Sequence, residues 1–98
     1  MAYELVVFPF KDPEEVLDYD LDWSSRLTDG DAITTSTWAL SSPPDSALVI
    51  NSETETTTVT KVWLSGGTLG QTYELTNHIT TVGGRQMEQT CQLVIAAK

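Results

Sequence analysis

Residues 63–85 read WLSGGTLGQTYELTNHITTVGGR, and this stretch decides the fold. It is predicted to contain the end of one strand, a glycine-rich corner, a long strand and a glycine hairpin turn. From Tyr73 to Thr81 the side chains alternate between a mostly apolar face and a polar face, which is the period-two pattern of a half-buried strand. Residues 86–95 alternate in the same way and are predicted to form the return strand.

The register of this hairpin follows from its two faces. A two-residue loop at residues 83–84 would place Ile79 opposite Glu88 and set apolar against polar side chains on every rung. A three-residue loop at residues 82–84 places Ile79 opposite Met87 and brings the apolar residues of both strands onto one face, as register selection requires. We therefore predict the three-residue loop. Its pairs are Thr81 with Arg85, Ile79 with Met87, Asn77 with Gln89, Leu75 with Cys91, and Tyr73 with Leu93.

The glycine-rich corner that leads into Tyr73 resembles the tyrosine corner of immunoglobulin-like sandwiches. There, a tyrosine hydroxyl forms a hydrogen bond with the backbone a few residues upstream. Threonine and other β-branched residues are frequent along the chain, which favours strands over helices. The predicted fold is all-β, an immunoglobulin-like antiparallel β-sandwich with an extended N-terminal arm. Residues 14–98 are predicted to be the single sandwich domain, and residues 1–13 an N-terminal arm or an edge strand.

Further strand patterns precede the corner. Residues 17–23 alternate strictly, with Leu, Tyr, Leu and Trp on one face and aspartates on the other. Ile33 and Trp38 are out of step in the next pattern, which predicts a bulge or bend between them. Residues 47–55 are predicted to form a short strand that leaves the core at Asn51. In the following strand Leu64 faces one way and Trp63 the other, so this strand is central or covered on its second face.

The N-terminal segment, residues 1–13, has two interpretations. Its apolar run ends at Lys11, and Pro9 and Pro13 bracket Phe10 and favour an extended backbone. The run could be an ordinary first strand, or an arm that lies on a neighbouring subunit. If it is an arm, we expect that deleting residues 2–10 leaves the sandwich folded but abolishes assembly.

Length, charge and cysteine content limit the function classes. The chain has 98 residues, enough for one domain, and a formal net charge of −9 from 14 acidic and 5 basic residues. Binding to DNA, RNA or an anionic membrane surface is disfavoured, because these partners require a basic face. The single Cys91 allows no internal disulfide and predicts a reducing compartment. No signal peptide and no apolar run of transmembrane length are expected.

No catalytic or metal-binding constellation is predicted. His78 is the single histidine and lies on the polar strand face, whereas Cys91 is expected in the core. The aspartates within residues 18–22 have the spacing that begins a calcium loop, but the required glycine and terminal glutamate are missing. A solvated strand face is the preferred interpretation. We expect no cofactor and no enzyme activity.

Exposed aromatic and apolar residues are the candidate sites, because they would contact other proteins. The candidates are Leu5, Val7, Phe8, Phe10 and Trp63. For Trp63, a covered core position and a subunit contact are equally favoured. Trp23 and Trp38 are expected in the core, from alternation and central position.

Several blocks of sequence resemble a group of phage proteins. They are KDPEEVLDYDLDW at 11–23, DAI at 31–33, STW at 36–38, VWLSGG at 62–67 and YxLTNxITTxGGR at 73–85. Together they are similar to small phage and prophage structural proteins described as fibre–tail adaptors or as neck and tail proteins. The resemblance runs from Lys11 onward and does not include residues 2–10. It implies a virion component, made in the host cytoplasm, that links neck or tail proteins to fibres, with multiple copies around a symmetric ring.

Two other functions fit the same fold. A capsid decoration or cement protein could also be an immunoglobulin-like knob, and its location over the whole shell would distinguish it. A carbohydrate-binding module would need exposed tryptophans in a groove to stack on sugar rings. Hydrolysis is the least favoured alternative.

Overall fold

The structure is a computed structural model that describes residues 5–98. Within this range the chain is built from strands, turns and loops. The strands are β1 (Val6–Val7), β2 (Val16–Asp22), β3 (Ile33–Ser42), β4 (Leu48–Glu55), β5 (Val59–Gly66), β6 (Thr72–Thr81) and β7 (Gln86–Val94). No helix in the described range is long and apolar enough to cross a membrane.

The strands form two sheets in an immunoglobulin-like arrangement. One sheet has the order β1-β7-β6-β3 and the other the order β2-β5-β4. All pairs are antiparallel except β1 with β7, which is parallel. Without β1, the two sheets match the CFG and BED sheets of an immunoglobulin domain. The predicted all-β sandwich is therefore confirmed.

The hairpin of β6 and β7 has the predicted register. Ile79 pairs with Met87 and Leu75 with Cys91, while the Thr81 N–H donates to the Arg85 carbonyl at 2.9 Å. Gly84 has a φ of 82°, the left-handed conformation that the three-residue loop requires and that glycine adopts without steric cost. The alternation of the two strands was therefore sufficient to determine their pairing.

The corner before β6 is a tyrosine corner. Tyr73 is fully buried, and its hydroxyl accepts a hydrogen bond from the Thr68 N–H at 2.9 Å and donates one to Asp45 Oδ2 at 2.8 Å. Gly66 has a φ of 74°, and a Cβ at this position would collide with the Ala47 carbonyl oxygen. Glycine is thus required at Gly66 both for its conformation and for the close approach of the backbone at Ala47, just before β4.

A polar network crosses the core between the sheets. Asn77 on β6 is fully buried, and its Oδ1 accepts hydrogen bonds from Trp23 Nε1 at 3.0 Å and from Thr60 Oγ1 at 2.7 Å. Its Nδ2 donates to Ser36 Oγ and to the Thr37 carbonyl, both at 2.9 Å. Apolar side chains surround this network. The buried ones are Phe8, Tyr19, Leu21, Trp23, Ile33, Trp38, Leu48, Val62, Leu64, Tyr73, Leu75, Ile79, Cys91, Leu93 and Ile95.

Two of the predicted irregularities are present. The register of β3 shifts between Ile33 and Thr35, which is the bulge expected from the apolar pattern. Strand β4 continues to Glu55, but its side chains are exposed from Asn51 onward, where its register with β5 shifts. The chain therefore leaves the core at Asn51 as predicted, while its backbone pairing with β5 continues beyond that point.

The described part of the N-terminal segment lies on the chain's own sandwich. Residues 1–4 are outside the described range. The Phe8 N–H donates to the Gln92 carbonyl at 2.9 Å, and the Phe8 ring, only 5% exposed, stacks on Tyr19 with a centroid separation of 4.6 Å. Lys11 is fully buried, and its Nζ donates to the carbonyls of Gly66 at 2.6 Å and Asp12 at 3.0 Å. Burial lowers the pKa of Lys11.

A buried carboxylate holds the tip of the β6–β7 hairpin. Asp31 Oδ2 accepts hydrogen bonds from the Thr81 hydroxyl at 2.6 Å and from the Arg85 guanidinium at 2.9 Å, and Oδ1 accepts one from the Gly83 N–H at 2.8 Å. The Asp31 side chain is only 3% exposed. These hydrogen bonds lower the pKa of Asp31 from 3.8 to about 2, and the one from Thr81 has the largest effect.

We expect this site to lose its stabilising effect in acid. Because the pKa of Asp31 is lower in the folded chain, its stabilisation is complete above about pH 4 and is lost as the pH falls towards 2. The urea midpoint of Asp31→Asn should be below that of the wild type at neutral pH, and the difference should narrow through this window. Asp29→Asn, an exposed neighbour, is the control. A difference that is independent of pH would contradict the assignment.

Candidate interaction surfaces

The ionisable side chains named from the sequence do not form a reactive site. His78 lies on the polar face of β6, with its Nδ1 3.1 Å from Glu88 Oε2. Cys91 is fully buried opposite Leu75, and burial raises the pKa of its thiol to about 12. A thiol with a raised pKa is a poor nucleophile because it carries little thiolate at neutral pH. Cys91 is therefore a packing residue.

The described residues offer little space for a small ligand. A cavity of about 60 Å³ is lined by Val6, Leu21, Asp22, Trp23, Arg26 and Gln89. Pockets for small molecules usually measure about 300–1,000 Å³. Within residues 5–98, no group of three or more His, Cys, Asp or Glu side chains is placed to hold a metal ion. The exposed apolar side chains are the candidate functional features.

The first surface lies on the outer face of the β2-β5-β4 sheet. Val16 on β2 and Val49 on β4 are both opposite Ser65 on β5, and Trp63 lies two residues before Ser65 on the same face. Directly opposed side chains are about 5 Å apart and diagonal ones about 7–8 Å apart, so each valine is a neighbour of Trp63. Val16 is 55%, Val49 47% and Trp63 38% exposed. We call this group the Trp63 surface.

The same sheet face becomes charged beyond Trp63. Asp18 on β2 is opposite Trp63, and Lys61 Nζ lies 3.1 Å from Asp18 Oδ2 and 3.8 Å from Asp20 Oδ1. The hydrogen bond that Lys61 donates to Asp18 is the main cause that raises the pKa of Lys61. Asp22 continues the acidic row of β2. The apolar surface is therefore bordered on its β2 side by carboxylates.

The second surface belongs to the N-terminal segment. Leu5 and Val7 flank Val6, which packs against the core, so these two side chains point outward and are exposed. Phe10 is 54% exposed. We call Leu5, Val7 and Phe10 the N-terminal surface.

Phe8 differs from the other candidate interface residues. Its ring packs between Tyr19 and Trp38 of the same chain and is nearly inaccessible, so it has almost no surface to offer a partner. The reason is that β1 pairs with β7, so the Phe8 side chain that follows β1 points into the core, where it contacts Tyr19 of β2. Leu5, Val7, Phe10 and Trp63 remain accessible.

Two residues of the Trp63 surface were missed by the sequence prediction. Val16 precedes the alternating residues 17–23, and Val49 lies in the strand predicted at residues 47–55, whose side chains were not assigned to faces. These two residues are identified by the pairing of β2 and β4 with the two sides of β5, which places both valines beside Ser65. The sequence indicated that β5 has two apolar faces, but it did not identify its partners.

Comparison with known proteins assigns residues 11–94 to a family. No curated protein matches the chain significantly. The family described as podophage GP4 fiber-tail adaptor protein gp77 matches residues 11–94. This match extends from buried Lys11 to the last residue of β7 and so includes strands β2–β7 of the sandwich. The chain belongs to the podophage GP4 fibre-tail adaptor protein gp77 family.

Proposed function

We propose that this chain joins fibres to the tail through protein–protein contacts at the Trp63 surface and the N-terminal surface, without catalysing a reaction. Family membership makes it a phage fibre–tail adaptor, a structural component of the virion that binds other tail and fibre proteins. The finer proposal names the surfaces that make the contacts. The observation that carries it is the separation of two exposed apolar groups on different sheets of one sandwich.

Two separate surfaces suit an adaptor because it must hold two neighbours at once. The Trp63 surface faces outward from the β2-β5-β4 sheet, whereas Val7 belongs to β1, the edge strand of the other sheet, and Leu5 directly precedes β1. Most oligomers of identical chains are closed and symmetric. We therefore propose several copies around a symmetric ring, each also bound to a fibre or tail protein.

The Trp63 surface is tested by Trp63→Ala in the phage. The isolated variant should lose about 1 kcal/mol of stability, because Trp63 is only 38% exposed and alanine is disfavoured in a strand. Thermal unfolding checks that the variant remains folded before particles are compared. Truncation of a central interface aromatic costs about 2 kcal/mol or more, which corresponds to roughly 30-fold weaker binding. We therefore expect fewer copies of this protein and fewer fibres per particle, measured by quantitative mass spectrometry and electron microscopy.

Matched controls come from exposed apolar residues elsewhere. Val82 at the hairpin tip and Leu69 at the tyrosine corner are 70% and 59% exposed. Val82→Ala and Leu69→Ala should leave particles unchanged, while Val7→Asp should act like Trp63→Ala. Normal fibre content in both the Trp63 and the Val7 variant would refute the proposed contacts.

A further inference from the structure

One long strand edge of the described sandwich is left open. The Trp23 N–H donates to the Thr58 carbonyl at 2.8 Å. Trp23 and Thr58 are therefore a hydrogen-bonded pair at the end of the β2–β5 ladder, and counting back from them shows which β2 residues form hydrogen bonds with β5. Hydrogen-bonded pairs alternate in an antiparallel ladder, so Tyr19 and Leu21 bond to β5, while Asp18 and Asp20 direct their N–H and C=O groups away from it. No hydrogen bond among residues 5–98 reaches these outward groups. We call them, with those of Val16 and Asp22, the β2 edge.

The other sheet edges are shortened, bent or capped. Strand β1 has two residues and is followed by Pro9. At the β3 edge, the Trp38 N–H donates to Glu53 Oε1 at 2.8 Å and the Ile33 N–H to the Thr57 carbonyl at 2.9 Å. Strands β3 and β4 also contain bulges. Proteins use these devices to stop an edge from pairing with another strand.

By contrast, the β2 edge has none of these features. Strand β2 has seven residues, and its pairing with β5 continues through all of them without a register shift. It contains no proline, glycine or lysine. A long and regular edge of this kind is a template for an additional strand.

The charge on β2 indicates which strand would be added. Asp18, Asp20 and Asp22 point to the outer face of the sheet, and Lys61 is the cation beside the first two. A second copy of β2 would place its own aspartates opposite them, and like charges opposite each other destabilise a strand pair. Lysine or arginine at the outward positions of the added strand would form favourable cross-strand pairs.

We propose that the β2 edge binds an extended segment of another virion protein by strand addition. In this segment basic residues on the outer face alternate with apolar residues on the inner face. The inner residues continue the apolar row of Leu17, Tyr19 and Leu21, and the basic residues face the aspartates. The inference deepens the proposed function, and relies on it only for the statement that the partner is a virion protein.

Asp20→Pro separates edge pairing from folding. The Asp20 N–H points away from β5, so proline removes an edge donor without breaking a bond to β5. Asp20→Ser is the matched control, because it removes the same charge but keeps the N–H group. Thermal unfolding of both variants checks that the sandwich remains folded. If Asp20→Pro does not fold, Asp20→N-methyl-aspartate introduced by chemical ligation removes the same N–H group.

The probe is a capped peptide that alternates lysine with valine or isoleucine. In excess over the protein at physiological ionic strength, it should slow amide exchange at Asp18 and Asp20 and leave Tyr19 unchanged, as measured by NMR. The loss of one edge hydrogen bond corresponds to roughly tenfold weaker binding. We therefore expect Asp20→Pro to bind the peptide about tenfold more weakly than Asp20→Ser does.

Four results would overturn the inference. The first is that the alternating peptide does not slow amide exchange at Asp18 and Asp20, and the second is that a peptide of the same composition with its lysines in one block slows it equally. The third is that Asp20→Pro and Asp20→Ser bind the peptide equally well. The fourth is that exchange slows without peptide as the protein concentration rises. The last would identify a second copy as the occupant. If Trp63→Ala depletes fibres while the peptide gives no protection, the proposed function stands alone. If the peptide protects and particles of the Trp63 and Val7 variants are normal, the strand-addition site stands alone.

Discussion

Replacing Asn77 with alanine will lower the free energy of unfolding by about 3 kcal/mol, because it leaves several buried polar groups without a partner. Asn77 is fully buried and bonds to Trp23, Thr60, Ser36 and the Thr37 carbonyl. Each unsatisfied buried group costs about 1–3 kcal/mol, and Trp23 Nε1 keeps its 3.1 Å bond to Thr60. The midpoint of thermal unfolding should fall by roughly 10–20 °C for a domain of this size.

Thr76→Ala is the control for this substitution. Thr76 precedes Asn77 on β6, lies on the opposite face, and bonds to the Thr90 and Ser41 hydroxyls. Because these groups are close to water, their loss should cost less than about 1 kcal/mol. Urea unfolding followed by tryptophan fluorescence measures both effects. Equal destabilisation by the two substitutions would show that the network contributes no more than an ordinary surface pair.

Phe8→Ala should destabilise the sandwich by about 3 kcal/mol, since it leaves a cavity where an aromatic ring was buried. Phe8 stacks on Tyr19 and lies near Trp38, with ring centroids 4.6 and 6.3 Å away. It also covers the side of the core between β1 and β2. The measurement is the urea midpoint at neutral pH.

Phe10→Ala is the matched control, because the two residues are of the same type and two positions apart. Phe10 is 54% exposed, so its truncation should change stability by no more than about 0.5 kcal/mol. The burial of Phe8 also changes the result expected for deletion of residues 2–10, which an arm interpretation predicts to leave the sandwich folded. That deletion removes Phe8 together with the surface residues, so we expect it to weaken the fold as well as assembly. A fully stable Phe8→Ala variant would contradict this assignment and restore the interpretation of a detached arm.

The hairpin and the tyrosine corner could be predicted because their information is local. Alternation along β6 and β7 leaves one register that places Ile79 against Met87, and the β6–β7 pairing confirms it. Gly84 lies within the hairpin loop that it shapes, and Tyr73 is five residues from Thr68, whose N–H donates to the Tyr73 hydroxyl. Trp23 and Trp38 could also be assigned to the core from their positions in alternating strands.

The remaining features depend on contacts between residues distant in sequence. The apolar run before Lys11 predicted a strand, but carried no information on whether its partner was β7 or another chain. Lys11 was interpreted as the polar end of that run, and its burial depends on the Gly66 carbonyl 55 residues away. The alternation placed Asn77 on the core face. Its hydrogen bonds with Trp23 and Thr60 form only because the two sheets pack against each other. The Trp63 surface likewise required the partners of β5.

The burial of Lys11 has a consequence for chemical cross-linking of the virion. Acylating reagents require an accessible amine, and Lys11 has none of its surface exposed. Of the three lysines in the chain, Lys61 and Lys98 are therefore the ones that such a reagent reaches. Lys61 lies beside the acidic row of β2, so the proteins to which it becomes linked in intact particles are those that lie against this sheet.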